Sequence, residues 1–314
     1  MRIINVTDLN DICLSVYKDL NESQLRHYYE PDGGIFIAES LKVIERAISF
    51  PCIPESVLVE KEKIDNAEFR RVLDMISKCH YQDGQVIQNE NINKEQDIPI
   101  YVVEHDKLSQ ITGYNLTGGI LCAMRRPSLR SAGDMIKDLR RIAIIDTVVN
   151  PTNIGAIFRS AAAFNIEAVL LTKGCCDPLS RRAIRVSMGN VFQIPWTYFN
   201  KNGENCSAKD PVNMETDTKN TRLSGLVAED FDLLHEYGFR TVAMALKDDS
   251  IRLDDEKLKN EEKLAIILGN EGDGLSDLAI GLSDYKVIIP MAHEVDSLNV
   301  AAASAVAFWE LARL

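Results

Sequence analysis

Ile289-Pro290-Met291 and, just behind it, Ser297-Leu298-Asn299-Val300 set a polar turn and a helix start at the end of an apolar strand. In an open α/β sheet, ligands bind at such junctions, beyond the carboxyl ends of the strands. The same build occurs twice earlier, at Asn150-Pro151-Thr152-Asn153-Ile154-Gly155 and at Leu268-Gly269-Asn270-Glu271-Gly272. Three such junctions, all in one half of the chain, predict a single composite site.

Around them the second half alternates strand and helix. Strands are expected at 142–145, 168–171, 191–194, 241–246, 264–268 and 287–289, and helices at 154–164, 227–237 and 298–311. The strands are continuous apolar runs, the pattern of a mainly parallel sheet buried on both faces. Segment 200–223 is polar and rich in Asn, Lys and Thr, which reads as a mobile surface insertion.

The first half reads as a short helical lead-in over 1–30, stopped at Pro31-Asp32-Gly33-Gly34. Strands at 35–38, 57–59, 100–103 and 120–124, with helices near 41–48 and 68–77, make a small α/β sandwich over 31–126. A polar linker over 127–140 separates it from a second domain over 141–314.

At 314 residues, the chain is long enough for two domains, and its 46% hydrophobic and 26% charged residues are those of an ordinary globular protein. No apolar run approaches the roughly 18 to 20 residues that cross a bilayer. Residues 1–10 carry Asp8 and no hydrophobic signal core, so a cytoplasmic location is expected. Seven cysteines without a C-x-x-C pair suit a reducing compartment, and the adjacent Cys175-Cys176 reads as two small buried residues. The five histidines lack metal-ligand spacing, so no metal is expected.

A net charge of −12 argues against a protein that coats nucleic acid non-specifically. Locally the balance reverses. Residues 125–141 hold six basic and two acidic side chains, and 173–185 hold four and one, whereas 248–262 hold seven acidic and three basic. A basic face on an acidic body fits a polyanion held in one orientation; solvated loops beside a domain junction would give the same pattern.

At the first junction, Ile154, Ile157, Phe158 and Ala161 form one helical stripe, and Arg159 lies off it. An arginine there is either a surface residue or a grip on phosphate. Asn153 reads as the helix N-cap. The second junction runs G-x-x-G-x-G, which is not the dinucleotide fingerprint, and no Walker lysine follows. At the third, Ser297 fits an N-cap, and Asn299 is an unusual amide in a first turn. Ala301, Ala302, Ala303 and Ala305 make a smooth face for close packing.

Taken in order, these segments resemble the SpoU/TrmH branch of the SPOUT methyltransferases, which methylate RNA ribose 2′-hydroxyls. The motifs that carry the resemblance are 153–159, 268–275 and 289–300, with Ser187-Met188-Gly189 similar to the family's small-residue segment. Residues 31–126 look like the L30e-like substrate-binding domain of many members, through Phe36-Ile37-Ala38-Glu39-Ser40 and Leu116-Thr117-Gly118-Gly119-Ile120.

The resemblance implies an α/β fold whose C-terminal SPOUT domain is tied in a trefoil knot. It also implies S-adenosylmethionine as cofactor, RNA as substrate (rRNA favoured over tRNA) and a homodimer through the C-terminal domain. Leu246, Gly269, Ile289 and Leu298 match cofactor-binding positions; Asn153, Arg159, Glu271, Ser297 and Asn299 match catalytic and site-shaping ones. The chain departs from the pattern at Asn150, where aspartate is common, and at Asn165 and His293, where glycine is usual. The rival expectation is an RNA-binding or ribosome-assembly protein that keeps the fold without turnover. A doubly wound dehydrogenase fails for want of the fingerprint.

Overall fold

The computed structural model describes residues 2–30, 33–50, 52–82, 85–88, 98–112, 116, 118–199, 225–247, 249–293 and 295–312. The expected insertion at 200–223 lies outside these residues. Two compact units are present: Met1–Ser128 together with Leu179–Phe192, and Leu129–Pro178 together with Gln193–Leu314.

The first unit comprises β1 (Arg2–Asn5), α1 (Ser15–Lys18), α2 (Glu22–Arg26), β2 (Ile35–Glu39), α3 (Leu41–Ser49), β3 (Ile53–Glu60), α4 (Ala67–Ser77), the ribbon β4 (Cys79–Gln82) and β5 (Gln85–Gln88), β6 (Pro99–Val103), α5 (His105–Thr112) and β7 (Ile120–Arg125). Its sheet runs β1-β6-β3-β7-β2, with β7 antiparallel to both neighbours and the other pairs parallel. The lead-in is therefore not purely helical: Arg2–Asn5 pairs with β6 as an edge strand. Its mostly exposed side chains left no alternating pattern to read.

The second unit comprises α6 (Ala132–Ile136), β8 (Arg141–Ile145), α7 (Pro151–Ala163) and β9 (Ala168–Leu171). The chain then supplies α8 (Arg181–Val186) to the first unit. It resumes the second with β10 (Trp196–Tyr198), α9 (Ala228–Glu236), β11 (Arg240–Met244), β12 (Ile251–Arg252), α10 (Glu256–Asn260), β13 (Leu264–Leu268), α11 (Asp277–Leu282), β14 (Tyr285–Ile288) and α12 (Val300–Leu311). Among the described residues the sheet has seven strands, β10-β9-β8-β13-β11-β14-β12, every pair parallel. β8, β9 and β13 are buried along their whole length, as apolar strands covered on both faces must be.

Several expectations need correction. Residues 191–194 are not a strand: Asn190–Phe192 is a single 3-10 turn, and the edge strand begins at Trp196. Phe192 is buried against Phe36 and Phe50 of the first unit, at ring-centroid distances of 5.5 and 6.2 Å. A four-residue stretch, Val191-Phe192-Gln193-Ile194, is too short to carry a period by which to tell these cases apart. The polar linker contains helix α6, capped by Ser131, and its Ala132, Met135 and Ile136 join the core of the second unit. Ser187-Met188-Gly189 packs in the first unit, where Arg46 donates to the Met188 carbonyl at 2.6 Å.

Two polar clusters tie the second sheet together at the amino ends of its strands. Arg141 is buried and donates to the carbonyls of Leu311, Glu262 and Glu261 at 2.8–2.9 Å, fixing the end of α12 to the start of β13. Asp284 accepts from Thr241 N–H and Oγ1 at 2.8 Å and from Arg240 at 2.8 Å, with His235 Nε2 3.0 Å away. Partial burial raises its pKa, but hydrogen bonds from Thr241, His235 and Arg240 outweigh that and bring it down to about 2. A depressed carboxylate stabilises the fold above its unfolded pKa, and that contribution disappears as pH falls through the folded value. Asp284→Asn should therefore lower the melting temperature by several degrees at pH 7. The gap from the parent protein should close between roughly pH 4 and pH 2 in a melting series. A gap independent of pH would contradict this.

Candidate active site

α7 begins one turn earlier than the sequence implied. Asn150, not Asn153, is the N-cap, its side chain accepting from Thr152 N–H at 2.8 Å, and Pro151 takes the first helical position. Pro is favoured there because its missing N–H would be unpaired anyway. Asn153 is thereby freed for another task. Its buried amide donates to Glu271 and accepts from Asn299 Nδ2 at 3.2 Å.

The second junction leaves β13 at Leu268 and folds back on itself. Asn270 pairs with Gly274 across an isolated bridge, Gly274 N–H reaching the Asn270 carbonyl at 3.1 Å. Gly269 is required by this closure: a Cβ there would lie 2.6 Å from the Gly274 carbonyl carbon and 2.7 Å from Leu275 N. Glu271 is exposed at the tip, with its carboxylate turned to Asn153.

At the third junction α12 begins later than expected. Asn299, not Ser297, is the N-cap: its Oδ1 accepts from Ala301 N–H at 2.9 Å while its Nδ2 holds Asn153. The first turn of α7 thus holds the Glu271 carboxylate through Asn153, and the cap of α12 is tied to the same amide. Ser297 is exposed and makes no hydrogen bond among the described residues.

Beside this cluster is a cavity of about 910 Å³ beyond the carboxyl ends of β11 and β14. Leu246, Ile289, Leu298 and Ser297 line it, and Lys247 bridges to Asp277 within its rim at 3.1 Å. Gly269 does not line it and acts instead through the loop closure. Arg159 is exposed, outside the cavity lining, and forms no hydrogen bond or ion pair among the described residues. Six residues beyond Asn153, it sits about 9 Å further along α7 and roughly 120° round.

Sequence reasoning passed over Asn270, whose Nδ2 donates to the Thr147 carbonyl at 2.9 Å and joins the first two junctions. It also passed over Asp146, a buried carboxylate that accepts from Leu226 N–H at 3.2 Å and whose pKa is raised by burial. A carboxylate at the end of an apolar strand was the available signal. Cys175 is buried: desolvation pushes its thiol up to about 12, and Sγ donates to the Ile145 carbonyl at 3.1 Å.

The model of the SpoU rRNA Methylase family matches residues 140–226 and 217–309, more than half of the chain. The chain belongs to that family. Among SpoU relatives, an uncharacterised tRNA/rRNA methyltransferase of Mycobacterium bovis is 29% identical, over 98% of this chain and 92% of its own. The 23S rRNA (guanosine(2553)-2′-O)-methyltransferase RlmP of Bacillus subtilis is 23% identical over 88% of each chain. The AdoMet-bound rRNA methyltransferase from Sinorhizobium meliloti shares the fold at a TM-score of 0.71, with 19% identity over 98% of this chain and 97% of the other.

Gly269→Ala tests the loop closure. The methyl would meet backbone on both sides, so the variant should lose about 1–3 kcal/mol in urea denaturation. Wild-type stability would mean the loop opens freely.

Proposed function

We propose that this SpoU-family chain methylates a ribose 2′-hydroxyl in RNA, ribosomal RNA rather than transfer RNA, with S-adenosylmethionine as donor. The carrying observation is the hydrogen-bonded chain Glu271–Asn153–Asn299, which joins the three motif loops beside one cavity. A volume of about 910 Å³ suits a small-molecule cofactor. Leu246, Ile289 and Leu298 would hold it, with Gly269 shaping the loop behind. The bound cofactor supplies a methyl group already activated on a sulfonium. The printed activity of RlmP, a 2′-O-methyltransferase of 23S rRNA, favours the ribose and the ribosomal substrate.

The protein's share of the work is alignment of the sugar oxygen and removal of its proton. Ser297 and Asn299 would hold the phosphate and ribose, and Glu271 would fix the loop through Asn153. A guanidinium is a poor base, so the role of Arg159 is to clamp the substrate phosphate, which takes the proton or orients water that does.

Arg159 lies outside the cavity of its own chain, which favours a homodimer in which it serves the partner copy's site. Ala302, Val306 and Trp309 form an exposed stripe on α12, beside the Phe164–Trp309 edge contact at 5.6 Å. A second copy is the occupant proposed for this stripe. The trefoil knot, and an L30e-like first unit that holds the RNA, are parts of the same reading. So is a cytoplasmic setting; no described helix is long and apolar enough to cross a membrane.

Arg159→Ala should lower methyl transfer from tritiated S-adenosylmethionine to RNA by at least about 100-fold, while calorimetric cofactor affinity stays within about twofold. Unchanged turnover would remove the clamp. Mapping of 2′-O-methyl sites in RNA from cells with and without the gene tests the reaction; identical maps would refute it. Val306→Glu should shift the protein toward monomer in sedimentation and reduce transfer with it, and an unaltered dimer would exclude this face.

A further inference from the structure

The SpoU reading assigns roles to the residues on either side of Asn270 and none to Asn270 itself. Yet its side chain makes two bonds of opposite sense. Oδ1 accepts from Gly272 N–H at 2.6 Å, which tightens the loop around Glu271. Nδ2 donates to the Thr147 carbonyl at 2.9 Å, which belongs to the loop that leads into α7. Only a short primary amide does both: aspartate lacks the donor, serine lacks the reach, and alanine has neither.

The partner carbonyl is itself specially held. Thr147 has φ of +55°, a left-handed conformation that a β-branched residue adopts only under constraint. Its N–H donates to Thr172 Oγ1 at 2.9 Å, and the preceding Asp146 N–H continues the β8–β13 ladder to the Leu268 carbonyl at 2.9 Å. With the N–H fixed on one side and φ turned over, the Thr147 carbonyl is presented to Asn270. One peptide unit further on, Glu271 reaches Asn153.

We propose that Asn270 is a positioning residue of the methyl-transfer site. It locks the second loop to the Thr147 carbonyl so that the Glu271 carboxylate stays on Asn153, which in turn holds the cap of α12. It touches neither cofactor nor substrate in this scheme and acts through Glu271. The catalytic half of the claim rests on the methyltransferase reading; the structural half does not.

The test separates the two. In protein labelled with ¹⁵N-asparagine, the side-chain amide of Asn153 (identified by its loss in Asn153→Ser) reports its bond to Glu271. Asn270→Ala and Asn270→Asp should both move that resonance as far as Glu271→Ala does, with calorimetric S-adenosylmethionine affinity within about twofold as the check on folding. A resonance left at its wild-type position in either variant overturns the proposal. Aspartate matters because it retains the Gly272 acceptor and loses only the donor to Thr147.

Methyl transfer to total RNA from cells lacking the gene supplies the second readout. Asn270→Ala should lower kcat about tenfold or more in the parent, but by less than about twofold on a Glu271→Gln background. Equal losses on both backgrounds would show that Asn270 does not work through Glu271. A parent protein that transfers no methyl refutes the enzyme reading, while the amide resonance still decides whether Asn270 positions Glu271.

Discussion

The buried amide of Asn153 is the constraint on which the site depends. A carboxamide offers a donor and an acceptor about 2 Å apart, and here each is committed to a different loop: the donor to Glu271, the acceptor to Asn299. Neither partner is a neighbour in sequence, so loop entropy opposes their meeting. What offsets it is that Asn153 lies in the first turn of α7, anchored by a sheet whose central strands are fully buried. An aspartate at this position would set two carboxylates against each other; a leucine would leave both partners unpaired.

The same economy extends outward. Asn299 uses one end of its amide to cap α12 and the other to hold Asn153, so the start of that helix and the shape of the site cannot vary separately. At its far end, α12 is fixed by Arg141 through the Leu311 carbonyl. A helix held at both ends anchors the cavity wall at 295–298, and the amino-terminal turns of α7 and α12, joined through Asn153 and Asn299, favour anions such as an RNA phosphate.

How much of this was legible from the sequence depended on period and length. The stripe Ile154, Ile157, Phe158 and Ala161 gave α7, and all four are fully buried. The strands 264–268 and 168–171 were read to the residue, because continuous apolar runs bounded by polar turns leave little choice. Caps were the weak point. Asn150, Asn153, Ser297 and Asn299 are all good capping types, and each helix uses only one of them, chosen by tertiary partners that sequence does not display. For α7 the deciding clue was present in Pro151. Short elements such as α6 and β1 carried no period at all. The cluster of three junctions was legible as an association, whereas the bridge through Asn270 to the Thr147 carbonyl was not, since a backbone acceptor has no letter.

Two non-glycine residues share a backbone conformation that glycine adopts most easily. Asn165 has φ of +59° and His293 φ of +58°, so both occupy the left-handed region for which glycine is the easy choice. After α7, Ile166 N–H reaches back to the Ala161 carbonyl at 3.0 Å; after α9, Phe239 N–H reaches Leu234 in the same way at 3.0 Å, with Gly238 at the turn. The geometry is conserved between the two helix ends while the residue differs, and asparagine is the side chain that tolerates it best. Holding His293 in this region costs on the order of 1 kcal/mol. It also sits in the loop that carries the cavity wall, where Val295 N–H turns back to the Ala292 carbonyl at 3.3 Å.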